Sequence, residues 1–191
     1  MSELDLGLSI ALGVGLAAAT GLRLFLPMLV VSVAAYSGHL PLSDNFAWLA
    51  TPAALVLLSV AALAEILAYY IPGIDNLLDT IATPAAFVTG TVIAAAVITD
   101  LPPMVKWAAA IIAGGGIAGL TQTTSAVLRA KSTVLTGTLG NPVIATAEFG
   151  GSLLISLLAL VAPLLTLVVI IVLLWLGFRW FRQLSRRPRP S

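Results

Sequence analysis

Two glutamates interrupt long apolar runs: Glu65 in "AALAEILAYY" and Glu148 in "VIATAEFGG". Counted along helices starting at Pro52 and Pro142, Glu65 lies about 20 Å in and Glu148 about 9 Å in. An ionised carboxylate at that depth in hydrocarbon costs roughly 3 kcal/mol, so it faces the bundle interior or water and finds a partner. The candidate partners are Arg23, Arg129 and Lys131, which lie in two irregular stretches of the chain. Two readings follow. The charges are structural Glu–Arg pairs that lock broken helices to the bundle, or they line a buried site. In the second reading Arg23, Arg129 and Lys131 meet an anion while Glu65 and Glu148 act as counter-charges or proton carriers.

The polar stretch "TQTTSAVLRAKSTVLTGTLGNP", Thr121 to Pro142, adds Gln122 and Asn141 to the candidate binding residues. Its hydroxyls, its two basic residues and the helix start at Asn141-Pro142 could hold a phosphate, a carboxylate or a lipid headgroup. The plainer alternative is a cytoplasmic loop carrying two basic residues. Asp75 and Asp79, four apart in "IPGIDNLLDTIATP", would share a helix face and could meet a cation together with Asn76. Two carboxylates make a weak metal site, since divalent ions want six or more oxygens, and an acidic surface turn is the expectation. His39 is the only histidine and cysteine is absent, which excludes thiol chemistry and a zinc constellation. With no phosphate-loop pattern either, no cofactor and no catalytic residue are expected. An intramembrane lipid enzyme using Asp75 and Asp79 on a metal is the weakest reading.

The elements that must position these residues follow from composition and punctuation. Of 191 residues, 60% are hydrophobic and only 9% charged, too little polar surface for a soluble domain. Apolar stretches near or above spanning length recur, so an all-α polytopic membrane protein is expected. Thr51-Pro52, Thr83-Pro84 and Asn141-Pro142 each place a capping residue before a proline. These signals predict helices at 52–71, 84–99, 142–161 and 163–182, the last pair being alternatively one helix kinked at Pro163. Stretches 6–36 and 104–136 are irregular: kinked, broken or re-entrant. About six spans are then expected. Gly115 with Gly119, and Gly15 with Ala19, have the spacing that lets helix backbones approach.

"GVGLAAAT" at Gly13–Thr20 parallels "GGGIAGLT" at Gly114–Thr121, and "ALAE" ending at Glu65 parallels "ATAE" ending at Glu148. The chain therefore reads as one integral membrane domain, 1–191, with repeat halves 6–99 and 104–183. If each irregular element crosses once, the halves are inverted, a recurring transporter architecture. Five arginines, Arg179, Arg182, Arg186, Arg187 and Arg189, cluster at the C-terminal end, with 184–191 as a basic tail. The positive-inside rule puts that tail in the cytoplasm, with the chain in a bacterial cytoplasmic (inner) membrane. The tail gives no other support for a nucleic-acid partner; membrane lipids are the expected surroundings, and a homo-oligomer is left open.

The stretches "GLRLFLP" (Gly21–Pro27), "YYIPGIDNLLDTIATPAA" (Tyr69–Ala86) and "TGTLGNPVIATAE" (Thr136–Glu148) carry a resemblance. Along most of its length the chain resembles a family of small bacterial and plastid membrane proteins catalogued as a domain of unknown function (number 4126). The resemblance implies polytopic membrane placement and no chemistry. The functional expectation therefore rests on the residues: a small transporter or lipid flippase for an anionic substrate. The alternative is a non-catalytic subunit that packs against a partner protein through its glycine-rich helices.

Overall fold

A computed structural model describes residues 3–71, 74–99 and 101–185. Among them the chain is helical throughout: α1 Glu3–Thr20, α2 Phe25–Tyr36, a 3-10 turn Asp44–Ala50, α3 Pro52–Ala68, α4 Ile74–Val97, α5 Pro103–Ala109, a π-helical segment Ala110–Gly115, α6 Gly116–Thr136, α7 Asn141–Val161 and α8 Pro163–Ser185. Among the described residues three helical stretches are long and apolar enough to cross a membrane: Leu77–Val97, Pro103–Thr136 and Asn141–Val161. The 3-10 turn and α3, bent by 71°, bring the number to four if they form one span. Asp5–Thr20, Phe25–Tyr36 and Pro163–Leu176 are the apolar stretches of α1, α2 and α8 among the described side chains. Of the basic tail 184–191, residues 186–191 lie outside the described residues, as do residues 72–73 and the side chains of Asn76, Trp180, Arg182 and residues 184–185.

α1 and α4 bury an apolar core that includes Leu16, Ala17, Ile93 and Ala94, but on α6 and α7 the polarity is reversed relative to a soluble bundle. On α6 the buried positions are Ala118, Gln122, Ser125 and Arg129, and on α7 they include Asn141, Glu148, Ser152 and Ser156. Those spacings trace one helical stripe on each helix, and that stripe is polar. Outward face leucine, valine and isoleucine side chains such as Val134, Leu154, Val161 and Leu165. Such a surface is compatible with membrane insertion, where the apolar shell meets lipid and the polar stripe meets its own kind.

The first irregular stretch is a broken helix. α1 stops at Thr20 and α2 resumes at Phe25. A Cβ on Gly21 would come within 2.4 Å of the Ala118 carbonyl oxygen, so this break packs backbone against α6. The freed backbone groups are re-satisfied by neighbours. Ser152 Oγ donates to the Ala19 carbonyl at 3.0 Å, and Glu65 receives the Leu24 and Phe25 amides at 2.7 and 3.0 Å. The second irregular stretch is not broken; it runs from Pro103 to Thr136 through the π segment. The polar stretch expected as a loop is therefore helical as far as Thr136, and only the turn to α7 lies outside a helix. Gly137 closes α6 in the left-handed conformation with φ +58°.

Two helix starts differ from the expectation. Thr51 does cap α3, its hydroxyl accepting the Ala54 amide at 3.2 Å. Thr83-Pro84 does not start a helix: α4 begins at Ile74 and carries Pro84 inside it. The Thr83 hydroxyl donates to the Asp79 carbonyl at 3.4 Å one turn back, an i to i−4 bond along the helix beside that proline. Asn141 is the first residue of α7 rather than its cap, and its side chain points elsewhere. α7 and α8 are separate helices meeting at Ala162, whose φ of −143° breaks helical geometry.

Candidate functional site

Six ionisable side chains from widely separated parts of the chain converge at one place. Arg23 comes from the α1–α2 break, Glu65 from α3, Asp75 and Asp79 from α4, Arg129 from α6 and Glu148 from α7. Arg23, Arg129 and Asp75 are each only 1% exposed. Helical spacing explains the convergence: Asp75 and Asp79 occupy one face of the first turns of α4, and Ser125 and Arg129 one face of α6.

Glu148 is the hub. Its Oε2 accepts from Arg129 Nη2 in a close ion pair and lies 3.3 Å from Arg23 Nη2, while its Oε1 accepts from Ser125 Oγ. Arg129 Nε reaches Asp79 Oδ2 at 3.1 Å. Asp79 Oδ1 also accepts the Tyr69 hydroxyl at 3.2 Å and Gln122 Nε2 at 3.4 Å. Arg23 Nη2 donates to the Ala145 carbonyl at 2.8 Å. Both guanidiniums also lie against the ring of Tyr69, Arg23 at 4.1 Å and Arg129 at 4.3 Å from its centroid. The electron-rich ring attracts both cations, and the Glu148 carboxylate they share offsets their mutual repulsion. Asn141 Nδ2 donates to Asp75 and, at 3.0 Å, to Thr133 Oγ1. Among the described residues Arg23 Nε and Nη1 and Arg129 Nη1, all buried, have no acceptor.

The candidates named from sequence fall into two groups. Arg23, Glu65, Gln122, Arg129, Asn141 and Glu148 belong to this cluster or adjoin it; Lys131 does not, being exposed on the far side of α6. Glu65 was expected to pair with a basic residue of an interrupted helix. It holds the interrupted helix by its backbone instead, accepting two amides at the N-terminus of α2, where the helix dipole favours a negative charge. Asp75 and Asp79 were expected on an acidic surface turn and are buried instead, because α4 starts ten residues earlier than Pro84 and carries them inward. No group of three or more metal-ligating side chains occurs among the described residues. Tyr69, Ser125 and Thr133 were not singled out from sequence, although Tyr69 follows Glu65, and Ser125 precedes Arg129, by one helical turn. A separate buried cation, Lys106, donates to Ser43 Oγ at 2.7 Å, away from the cluster.

Two clefts approach the cluster. One, of about 460 Å³, lies between α1, α6, α7 and α8 and is floored by Ser125 and Glu148. The other, of about 340 Å³, is bounded by α2, α3 and α4 and reaches Glu65 and Tyr69. The walls of both are almost wholly apolar. The glycine spacing read as a partner surface is partly occupied within the chain, for a Cβ on Gly115 would meet Thr91 Oγ1 of α4 at 2.4 Å.

The three stretches that carry the family resemblance supply Arg23, Tyr69, Asp75, Asp79, Asn141 and Glu148, and therefore meet in this cluster. A family model described as a domain of unknown function (DUF4126) matches residues 10–183. No curated protein and no solved structure matches the chain.

Proposed function

The chain belongs to the DUF4126 family, and from that premise we propose that it is a small integral membrane transporter or lipid flippase which moves an anionic substrate together with protons. The observation that carries this reading is the charge balance of the cluster. Two guanidiniums, Arg23 and Arg129, face three carboxylates, Glu65, Asp79 and Glu148. Among the described residues Tyr69 is the other titratable group packed against the guanidiniums, and Lys131 and Arg179 are exposed elsewhere. In a low-dielectric interior an unbalanced negative charge is expensive, so the cluster holds protons on some of its carboxylates. The guanidinium donors without acceptors offer hydrogen bonds to the oxygens of an anion. An arriving anion deepens the negative excess, which protons taken up with it offset.

Supporting features are the broken helix at the cluster and the clefts that reach Glu65 and Glu148 from different faces of the bundle. The order of elements also repeats, an irregular stretch followed by two helices, in halves 6–99 and 104–183. This pattern favours six crossings in two related halves, with the C-terminus on the cytoplasmic side.

The test is uptake into proteoliposomes loaded with a pH-sensitive dye, using phosphate, short carboxylates and a fluorescent phosphatidic acid. An imposed proton gradient is expected to drive entry of one of these classes with acidification of the lumen. Glu148→Gln is expected to cut uptake at least tenfold while the protein still unfolds cooperatively in detergent. Wild-type uptake by a folded Glu148→Gln variant removes Glu148 from the mechanism, and absence of uptake for every class removes the transporter reading.

A further inference from the structure

The cleft between α1, α6, α7 and α8 carries more information than its volume. Its walls are apolar side chains, among them Leu22, Leu128, Ile144 and Leu173, and its polar floor holds Ser125 and Glu148. About 460 Å³ falls in the range of a site for a single ligand, enough for one alkyl chain and too little for the paired chains and headgroup of a bilayer lipid. On α7 the wall continues from Glu148 to Ile155, roughly 10 Å of apolar helix surface.

Two of the three hydroxyls lining the cleft are already committed, and the third, that of Thr121, has no partner among the described residues. Ser125 Oγ donates to Glu148, and Thr124 Oγ1 donates to the Leu120 carbonyl at 2.8 Å. An ionised carboxylate has no hydrogen to give. Arg23 and Arg129 stand behind Glu148 rather than in the lining. Glu148 itself therefore offers only acceptors, so a head that meets it must bring its own donor, while Thr121 stands free to donate to a second oxygen of that head.

Resting on the transporter reading above, we propose that this cleft binds a single-chain carboxylic acid in its protonated form. The acid O–H donates to the Glu148 carboxylate, and the chain lies along α7 toward Ile155. A protonated acid is the form in which a carboxylate meets Glu148 without adding charge, and the apolar walls select for an attached chain over a small acid.

Photolabelling of the full chain in lipid nanodiscs with a diazirine-bearing dodecanoic acid tests this. Labels are expected on peptides covering residues 143–155 and 170–174. Excess dodecanoic acid and dodecanol should suppress them at least tenfold, whereas methyl dodecanoate, which keeps the chain and loses the donor, and acetate, which keeps the head and loses the chain, should not. Ala147→Phe, at the exposed lip of the cleft, should abolish labelling with little change in Tm. Equal competition by methyl dodecanoate or by dioleoyl phosphatidic acid, or labels spread evenly over the outward helix faces, overturns the proposal. If the cleft labels as expected but no proton-linked uptake occurs, the binding site stands and the transporter reading fails. If phosphate moves with protons while the cleft stays unlabelled, the reverse holds.

Discussion

Glu148 neutralises two guanidiniums that are otherwise sealed from solvent, so its removal isolates buried charge rather than merely deleting a contact. Glu148→Ala is expected to lower stability by about 3–5 kcal/mol, the usual consequence of stranding one side of a buried pair. Glu148→Gln keeps the volume and one acceptor oxygen and should lose less. Chemical unfolding in detergent checks the order; an alanine variant as stable as wild type would show that the cluster is not electrically coupled. Arg129 and Asp79 form a second test, with their contact at 3.1 Å. The double variant Arg129→Met/Asp79→Leu is expected to lose less than the two single variants added together, with an interaction energy of about 0.5–3 kcal/mol. Glu65 acts through backbone amides, so Glu65→Gln, which keeps one acceptor, should be better tolerated than Glu65→Leu, which leaves the Leu24 and Phe25 amides unmet.

At the scale of elements, the close approach of α4 to the π segment is a separate determinant of stability. A Cβ on Gly114 would meet Ala94 Cβ at 2.6 Å and the Gly90 carbonyl oxygen at 2.7 Å. Gly114→Ala is therefore expected to force the helices apart, at about 1–3 kcal/mol. Gly119, whose Cβ would meet nothing closer than Phe87 at 3.8 Å, should accept alanine with no loss, or gain up to about 1 kcal/mol from helix propensity. A Cβ on Gly115 would meet Thr91 Oγ1 at 2.4 Å, so Gly115→Ala is expected to destabilise the free chain in this arrangement. Thermal unfolding of Gly115→Ala beside Gly119→Ala distinguishes it from a Gly115–Gly119 partner surface, on which both substitutions would weaken complex formation and leave the free chain unaffected. The π segment itself sits where α4 packs most closely. Such segments admit an extra residue into a helical turn and re-aim the side chains that follow, here the stripe Gln122, Ser125 and Arg129.

For the whole molecule, the cluster is offset from the middle. Glu148 is seven residues into α7 and Arg129 seven residues from the end of α6. Each is therefore about 10 Å from the α6–α7 turn, within a hydrocarbon core of about 30 Å. That turn carries Thr138 with φ 76°, a strained conformation for a β-branched residue. If α7 crosses the membrane, its ends lie on opposite sides. The chain contains no cysteine, so single cysteines report without background. A cysteine at Thr138 is expected to react with a membrane-impermeant maleimide from the cytoplasmic side only, and one at Ala162 from the opposite side only. Reaction of both from one side would show that α7 does not cross, and would remove the six-crossing arrangement.

The sequence by itself determined the all-helical, apolar character of the chain and the presence of charges at depth. Composition and run length decide these locally, with no need to know what packs where. It also marked Arg23, Glu65, Gln122, Arg129, Asn141 and Glu148, because a polar group in an apolar run demands a partner wherever it lies. Only the tertiary structure decided which partner. Glu65 was legible as a residue needing satisfaction, yet its choice of two backbone amides over a guanidinium depends on where α1 breaks. Asp75 and Asp79 were misread because Thr-Pro is a helix start in isolation, whereas neighbouring helices let α4 run through Pro84 and carry both acids inward. Lys131 was grouped with Arg129 by proximity in sequence; two residues along a helix is half a turn, which turned one cation into the cluster and the other outward.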